Sequence, residues 1–330
     1  MNLLSLVATI LLVNCGDGYV DNFYLSAAFF DNINISRNLM LDISSAETFV
    51  LDANSFPNVG KNNSFDATKS ITFHRTVNFS TTYSNLTNDE EFTVSGYKGD
   101  DFVDLPFRVE AEFSVATGIR GDALKSNGND QYAGRIGFSK GKSLIREKLF
   151  EKASSKMICF FLTTLLEEQK IGFKLVTWFK LYNSTTLTVN TSAEANSENL
   201  WQVPVTSLEI GKFKSNFKAI AVLSTTLSGI TVPERFLAPI VRALNGQWDA
   251  EKNYYKVDCS AKLPLTIGVA GKPVEIGFNG YVETVDFKKP ECRLRIRSHK
   301  RDLFVLGLPL YVNRGACIDF ATDTVALFRR

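Results

Sequence analysis

Apolar and polar residues are grouped in blocks between residues 217 and 233. Two apolar runs, Ala219–Leu223 and Gly229–Val232, flank a short core of Ser224, Thr225, Thr226, Leu227 and Ser228. This grouping predicts two buried strands joined by a small polar loop, a place where folds often put chemistry. Pro233 then leads ERFLAPIVRALNG, a predicted helix. Residues 19–60 read as strands broken by polar turns, including NLMLDISSAETFVLDANSF at 38–56. Residues 147–170 place Leu149, Ala153, Met157, Phe160, Phe161 and Leu165 near i, i+3/i+4 spacing, which predicts a long helix. Segments 173–181 and 185–189 read as a strand pair, and 264–274 as a hairpin turning at Ala270-Gly271. The polar stretch 190–199 marks a boundary, giving an N-terminal lobe over 19–193 and a C-terminal lobe over 194–330.

The chain has 330 residues, 45% hydrophobic and 22% charged, enough for a large core. Its net charge of +2 predicts no nucleic-acid partner. The uncharged run Leu3–Val13 is shorter than the ~20 residues a bilayer span needs. It fits a signal peptide over 1–18, which makes the expected product secreted and extracellular, without a membrane span. Six N-x-Ser/Thr sequons agree, at Asn34, Asn62, Asn78, Asn85, Asn183 and Asn190. Two histidines and no CxxC leave no expected metal site, and no cofactor is expected. Arg293, Arg295 and Arg297 alternate as on one strand face, either a solvated surface or a site for an anionic partner.

The order of these blocks resembles a pepsin-like aspartic protease (peptidase A1), and its second half looks most like nematode-type members. The family's second active-site loop, Asp-Thr-Gly-Thr-Ser, falls on Ser224–Ser228, so Asp falls on Ser224 and Gly on Thr226. The first loop, Asp-Thr-Gly-Ser-Ser, falls on Asp42–Ala46: Asp42 is retained, while Ile43, Ser44 and Ala46 depart. Phe65-Asp66-x-x-Lys69-Ser70-x-x-Phe73 resembles the turn before the flap, and Tyr83 falls on the flap tyrosine that contacts substrate. The Gly-rich flap tip is replaced by NLTNDEEF, Asn85–Phe92. Residues 133–138, AGRIGF, fall on Asp-Gly-Ile-Leu-Gly-Leu. The resemblance implies a mostly β, bilobal fold with two related β lobes and a cleft between them. It also implies a Cys259–Cys292 disulfide; Cys159 and Cys317 either pair or stay free.

Catalysis in this family needs two carboxylates about 3 Å apart sharing one proton. Asp42 is a retained, vestigial candidate, and Ser224 replaces its partner; a hydroxyl does not exchange that proton at neutral pH. The resulting expectation is a monomeric, non-catalytic protein that binds a peptide or protein in the interlobe cleft. The alternatives are an active aspartic endopeptidase with an atypical site, and a structural extracellular glycoprotein. A second carboxylate facing Asp42 would favour the enzyme, an open cleft the binder, and a filled cleft the structural role.

Overall fold

A computed structural model describes residues 24–31, 35–59, 63–105, 108–121, 133–153, 155–164, 169–175, 187–190, 199–286, 291–312 and 314–329. The first half forms seven strands: β1 (Tyr24–Phe29), β2 (Ser36–Asp42), β3 (Phe49–Leu51), β4 (His74–Tyr83), β5 (Phe92–Asp104), β6 (Arg108–Arg120) and β7 (Gly134–Gly137). They make one sheet in the order β1-β2-β7-β3-β6-β5-β4. After it come α1 (Leu144–Lys152), β8 (Met157–Thr164), β9 (Gln169–Leu175) and β10 (Leu187–Asn190).

The second half continues with β11 (Gln202–Ile210), β12 (Phe213–Leu223), β13 (Ile230–Pro233), α2 (Glu234–Ala243), β14 (Gln247–Asp249), β15 (Tyr254–Val257), β16 (Leu265–Val269) and β17 (Lys272–Ile276). It ends with α3 (Phe278–Tyr281), β18 (Val282–Asp286), β19 (Glu291–Leu294), β20 (Ile296–His299), β21 (Phe304–Leu306), β22 (Arg314–Asp319) and β23 (Thr324–Arg329). A second seven-stranded sheet runs β17-β16-β11-β12-β21-β13-β20, and a four-stranded one β14-β15-β19-β18. A five-stranded sheet, β10-β23-β22-β8-β9, draws strands from both halves. The protein is mostly β, consistent with the bilobal pepsin-like architecture.

One local plan occurs twice. In the first half β7 runs parallel to β2 and antiparallel to β3, so it threads between the arms of the loop that begins at Asp42. In the second half β21 runs parallel to β12 and antiparallel to β13, threading the loop that begins at Ser224. Each threading strand runs into a glycine where a side chain would clash: Gly137 is the last residue of β7, and Gly307 directly follows β21. A Cβ on Gly137 would lie 2.5 Å from the Ala46 carbonyl carbon, and one on Gly307 would lie 2.2 Å from Leu227 O.

A continuous apolar core runs through both halves, from Phe29 and Leu41 to Leu223 and Leu306. Fully buried Trp201 ties it together: its indole N–H donates to Phe138 O at 3.0 Å, and its ring meets Phe320 edge-on. The 264–274 hairpin is present as β16 and β17. Ala270 and Gly271 both take positive φ, 48° and 79°, as a two-residue primed turn requires.

Two expectations are corrected. The helix expected over 147–170 ends at Lys152, and Met157, Phe160 and Phe161 belong to β8. MICFFLTT is a short apolar run of β-branched and aromatic residues. Pairing on both sides, with β22 and β9, decides its conformation. Segments 173–181 and 185–189 do not pair as a hairpin where they are described: β9 and β10 lie at opposite edges of the five-stranded sheet. Cys159 and Cys317 face each other across β8 and β22 and form a disulfide, and Cys259–Cys292 forms the second. Two disulfides fit an oxidising compartment. Among the described residues no helix is long and apolar enough to cross a membrane. The expected signal peptide, the 193/194 boundary, and the sequons at Asn34, Asn62 and Asn183 lie outside the described residues, as does the Asn190 side chain.

Candidate functional site

The loops that begin at Asp42 and Ser224 meet beneath one cleft. Thr225 joins them: its hydroxyl donates to Leu41 O at 2.6 Å and accepts from Ile43 N at 3.2 Å, on either side of Asp42. The reciprocal link is missing, because Ile43 has no hydroxyl to return. Thr225 and Ile43 are both fully buried, so the junction is dry as well as tight.

Asp42 is fully buried at the end of β2. Its Oδ1 accepts from the Ser44 backbone N–H at 2.8 Å and the Ser44 hydroxyl at 2.6 Å. Its Oδ2 accepts from Nη1 of Arg135 at 3.0 Å, a buried ion pair. Arg135 comes from β7, opposite Phe49 of β3, and its guanidinium lies over the rings of Phe92 (4.6 Å) and Tyr83 (5.1 Å). The same Nη1 donates to Asn88 Oδ1 at 2.7 Å. A buried carboxylate alone would be costly; an adjacent guanidinium and two donors from Ser44 compensate it.

Ser224 is equally buried and carries no charge. Its hydroxyl donates to Thr87 O at 2.6 Å and accepts from the backbone N–H groups of Thr226 (3.1 Å) and Leu227 (3.0 Å). The Thr226 hydroxyl donates to the same Thr87 carbonyl at 2.9 Å. Residues 84–89 therefore lie directly over both loops: the Thr87 carbonyl caps Ser224, and the Asn88 side chain reaches Arg135.

That flap segment is fastened to the second half along its length. Leu86 packs with Leu200, Val222, Leu227 and Val305. The Ser228 hydroxyl donates to Asp89 Oδ1 at 2.6 Å. Arg297, on β20, donates to three flap carbonyls: Asn85 O (2.6 Å), Asn88 O (2.6 Å) and Asp89 O (2.8 Å). Burial pushes its guanidinium below its ordinary pKa, and the Asp89 charge opposes that shift. Beside the flap a cavity of about 130 Å³ remains, lined by residues that include Ser44, Thr82, Tyr83, Thr87 and Asn88. That is below the ~300–1,000 Å³ usual for ligand pockets.

Residues 34–313 match the family model of eukaryotic aspartyl proteases. The chain belongs to the eukaryotic aspartyl protease family. No curated protein matches it. A bilobal aspartyl protease fold has a cleft between its lobes, and here the flap segment lies in it. Tyr83, expected at the flap, is buried: it stacks on Phe92 with centroids 4.7 Å apart and meets Phe49 edge-on. The arginine alternation does not form one strand face. Arg293 is in β19, Arg295 lies between strands, and Arg297 is in β20. Arg293 and Arg295 pair with Glu283, while Arg297 is spent on the flap and on the Thr231 hydroxyl. Among the described residues no His/Cys/Asp/Glu group could hold a metal ion.

Sequence reasoning missed Arg135, Asn88 and the role of Arg297. Arg135 left a signal: it is a charge inside GRIG, a strand whose four residues are all buried and whose family pattern is apolar there. The flap contacts to Arg297 and Ser224 left none, because Asn85, Thr87, Asn88 and Asp89 make them through backbone carbonyls, which sequence does not vary.

Proposed function

We propose that this aspartyl protease homologue is catalytically silent and that its own flap closes its cleft. Asp42 is then a structural anion balanced by Arg135, and Ser224 is a structural hydroxyl that holds the flap. The observation that carries this reading is the ion pair from Asp42 to Arg135, formed where a catalytic carboxylate would need a second carboxylate and a water. A guanidinium donates hydrogen bonds and accepts no proton, so it does not replace the missing acid–base partner. Ser44 and Thr226, standing where the family has glycines, use their own side chains in the same network.

The filled cleft moves the reading from a cleft-binding protein towards a secreted structural or surface-binding glycoprotein. What supports it is the number of bonds that hold residues 84–89 down over both loops. Partners would then meet the outer surface of a monomeric, two-lobed protein with lobes over 19–193 and 194–330. Secretion is supported by two disulfides and by sequons in the first half.

The test is digestion of unfolded protein substrates by the purified secreted chain between acidic and neutral pH, with and without a transition-state-analogue inhibitor of aspartic proteases. The expected result is no inhibitor-sensitive cleavage. Cleavage that the inhibitor blocks and Asp42→Ala abolishes would return the chain to the enzymes.

A further inference from the structure

We propose that Asn78 carries an N-linked glycan and that this glycan covers the open edge of the first seven-stranded sheet. The inference rests on the secreted reading above and adds a site and a purpose to it. β4 is the outermost strand of that sheet, bonded to β5 on one side. Among the described residues no strand pairs with its other side. Its sequence, HRTVNFSTTY, is rich in residues that favour extended backbone and has no Pro, Gly or acidic residue. Its first five residues are all exposed. Ile71, 99% exposed, lies just before it, and Val77, 57% exposed, lies within it.

Such an edge offers a row of N–H and C=O groups to any other extended chain. Proteins blunt these edges with charges, prolines, bulges or a cover. A bulge is present here, between Arg75 and Asn78. The one arginine of β4 is turned back onto its own hairpin: its guanidinium lies 4.3 Å from the Tyr97 ring centroid, and Nη2 donates to Asn78 Oδ1 at 3.0 Å. What the edge lacks is bulk, and Asn78-Phe79-Ser80 is a glycosylation sequon in the middle of it. The bond from Arg75 uses Oδ1 of Asn78, whereas the sugar attaches at Nδ2. The modification joins Nδ2 to the anomeric carbon of an oligosaccharide, breaks that carbon's bond to a lipid pyrophosphate carrier, and releases one proton. A hydrated oligosaccharide at residue 78 would stand midway along the strand, so a second strand could not pair along it.

The full chain, secreted from a eukaryotic host, would be digested and its glycans released enzymatically in heavy-oxygen water, which labels each formerly glycosylated asparagine. Wild type would then be compared by light scattering, over a concentration series, with Asn78→Gln and Ser80→Ala. Both variants remove the sequon at exposed positions, and circular dichroism would check their fold. The expected result is label at Asn78, a monomeric wild type, and a roughly fivefold or greater rise in the oligomer fraction of both variants. Adding Val77→Lys to Asn78→Gln should return the chain to monomer, because a charge on the edge replaces the lost cover. An unlabelled Asn78 in a chain labelled at other sequons would overturn the proposal while leaving secretion intact. Absence of label from every sequon would remove the secreted reading along with it. Label at Asn78 with both variants as monomeric as wild type would overturn the covering role.

Discussion

The loop after β2 and the loop after β12 share one backbone plan, each threaded by a short strand that runs into a glycine, Gly137 or Gly307. Their chemistry has diverged in opposite directions. The first holds a carboxylate balanced by a guanidinium; the second is uncharged, and hydroxyls, backbone N–H groups and a flap carbonyl satisfy it. Both positions are fully buried, so neither is solvated by water, and each must be satisfied by protein groups. A family scaffold can thus keep its loop geometry with different polar residues at these two positions, provided that every buried polar group there finds a partner.

Breaking the first loop should have the largest effect. Arg135→Leu removes the cation and leaves Asp42 buried, which should destabilise the protein by about 3–5 kcal/mol in urea unfolding. Adding Asp42→Leu should recover most of that loss, because a neutral pair of similar volume carries no uncompensated charge. Failure to recover would mean that Arg135 acts through Asn88 and the aromatic rings instead of through Asp42.

The second loop should be softer. Ser224→Ala strips an acceptor from the N–H groups of Thr226 and Leu227 and a donor from Thr87 O, which still has the Thr226 hydroxyl. A loss of about 1–3 kcal/mol is expected. A loss as large as that of Arg135→Leu would erase the contrast between a charged and a neutral solution.

Arg297→Ala should act mainly on the flap, since its one other bond is to the Thr231 hydroxyl. Amide exchange over residues 84–89 should speed up about tenfold or more, equivalent to ~1.4 kcal/mol of local opening, with little change in global unfolding. Unchanged exchange would show that Ser224, Thr226 and Ser228 hold the flap without help.

The smallest effect lies far from both loops and serves as a control. Lys256 holds the Asp249 carboxyl below its usual pKa, and Lys252 does the same for Glu291, in both cases chiefly by a side-chain hydrogen bond. Groups with lowered folded pKa values contribute stability above the usual carboxylate range and lose it as pH falls through the lowered values. A slight fall in Tm below about pH 4 is expected, reduced in Lys252→Met/Lys256→Met. These carboxylates are only partly buried and their lysine partners reach solvent, so a large effect would be out of place.

Much of this was legible in the sequence, for definite reasons. The strand–loop–strand blocks around Asp42 and Ser224 are written in long apolar runs, and burial leaves such runs few alternatives. The turn at Ala270-Gly271 is written in the backbone freedom of glycine. By contrast, 157–164 carries apolar residues at spacings that suit a helix and a strand alike, and its pairing with the nearby β9 and the distant β22 decides between them. The flap closure was largely illegible because much of it is backbone carbonyls meeting Arg297, Ser224 and Thr226, and the alternation around that arginine pointed to an exposed strand face. Arg135 was visible as a misplaced charge, but its partner was not, since Asp42 lies on another strand of the sheet.

The Cys159–Cys317 disulfide joins residues 158 positions apart and closes most of the second half into a covalent ring. Tension carried along the backbone from either side therefore passes across that bond and bypasses everything between. The Ser224 loop, the Cys259–Cys292 bridge and Arg297 all sit inside the shielded segment; Asp42, Arg135 and the flap do not. Mechanically the two related lobes are unequal: under load the first can be drawn out strand by strand, while the second would travel as a knot-like bead until the bond is reduced.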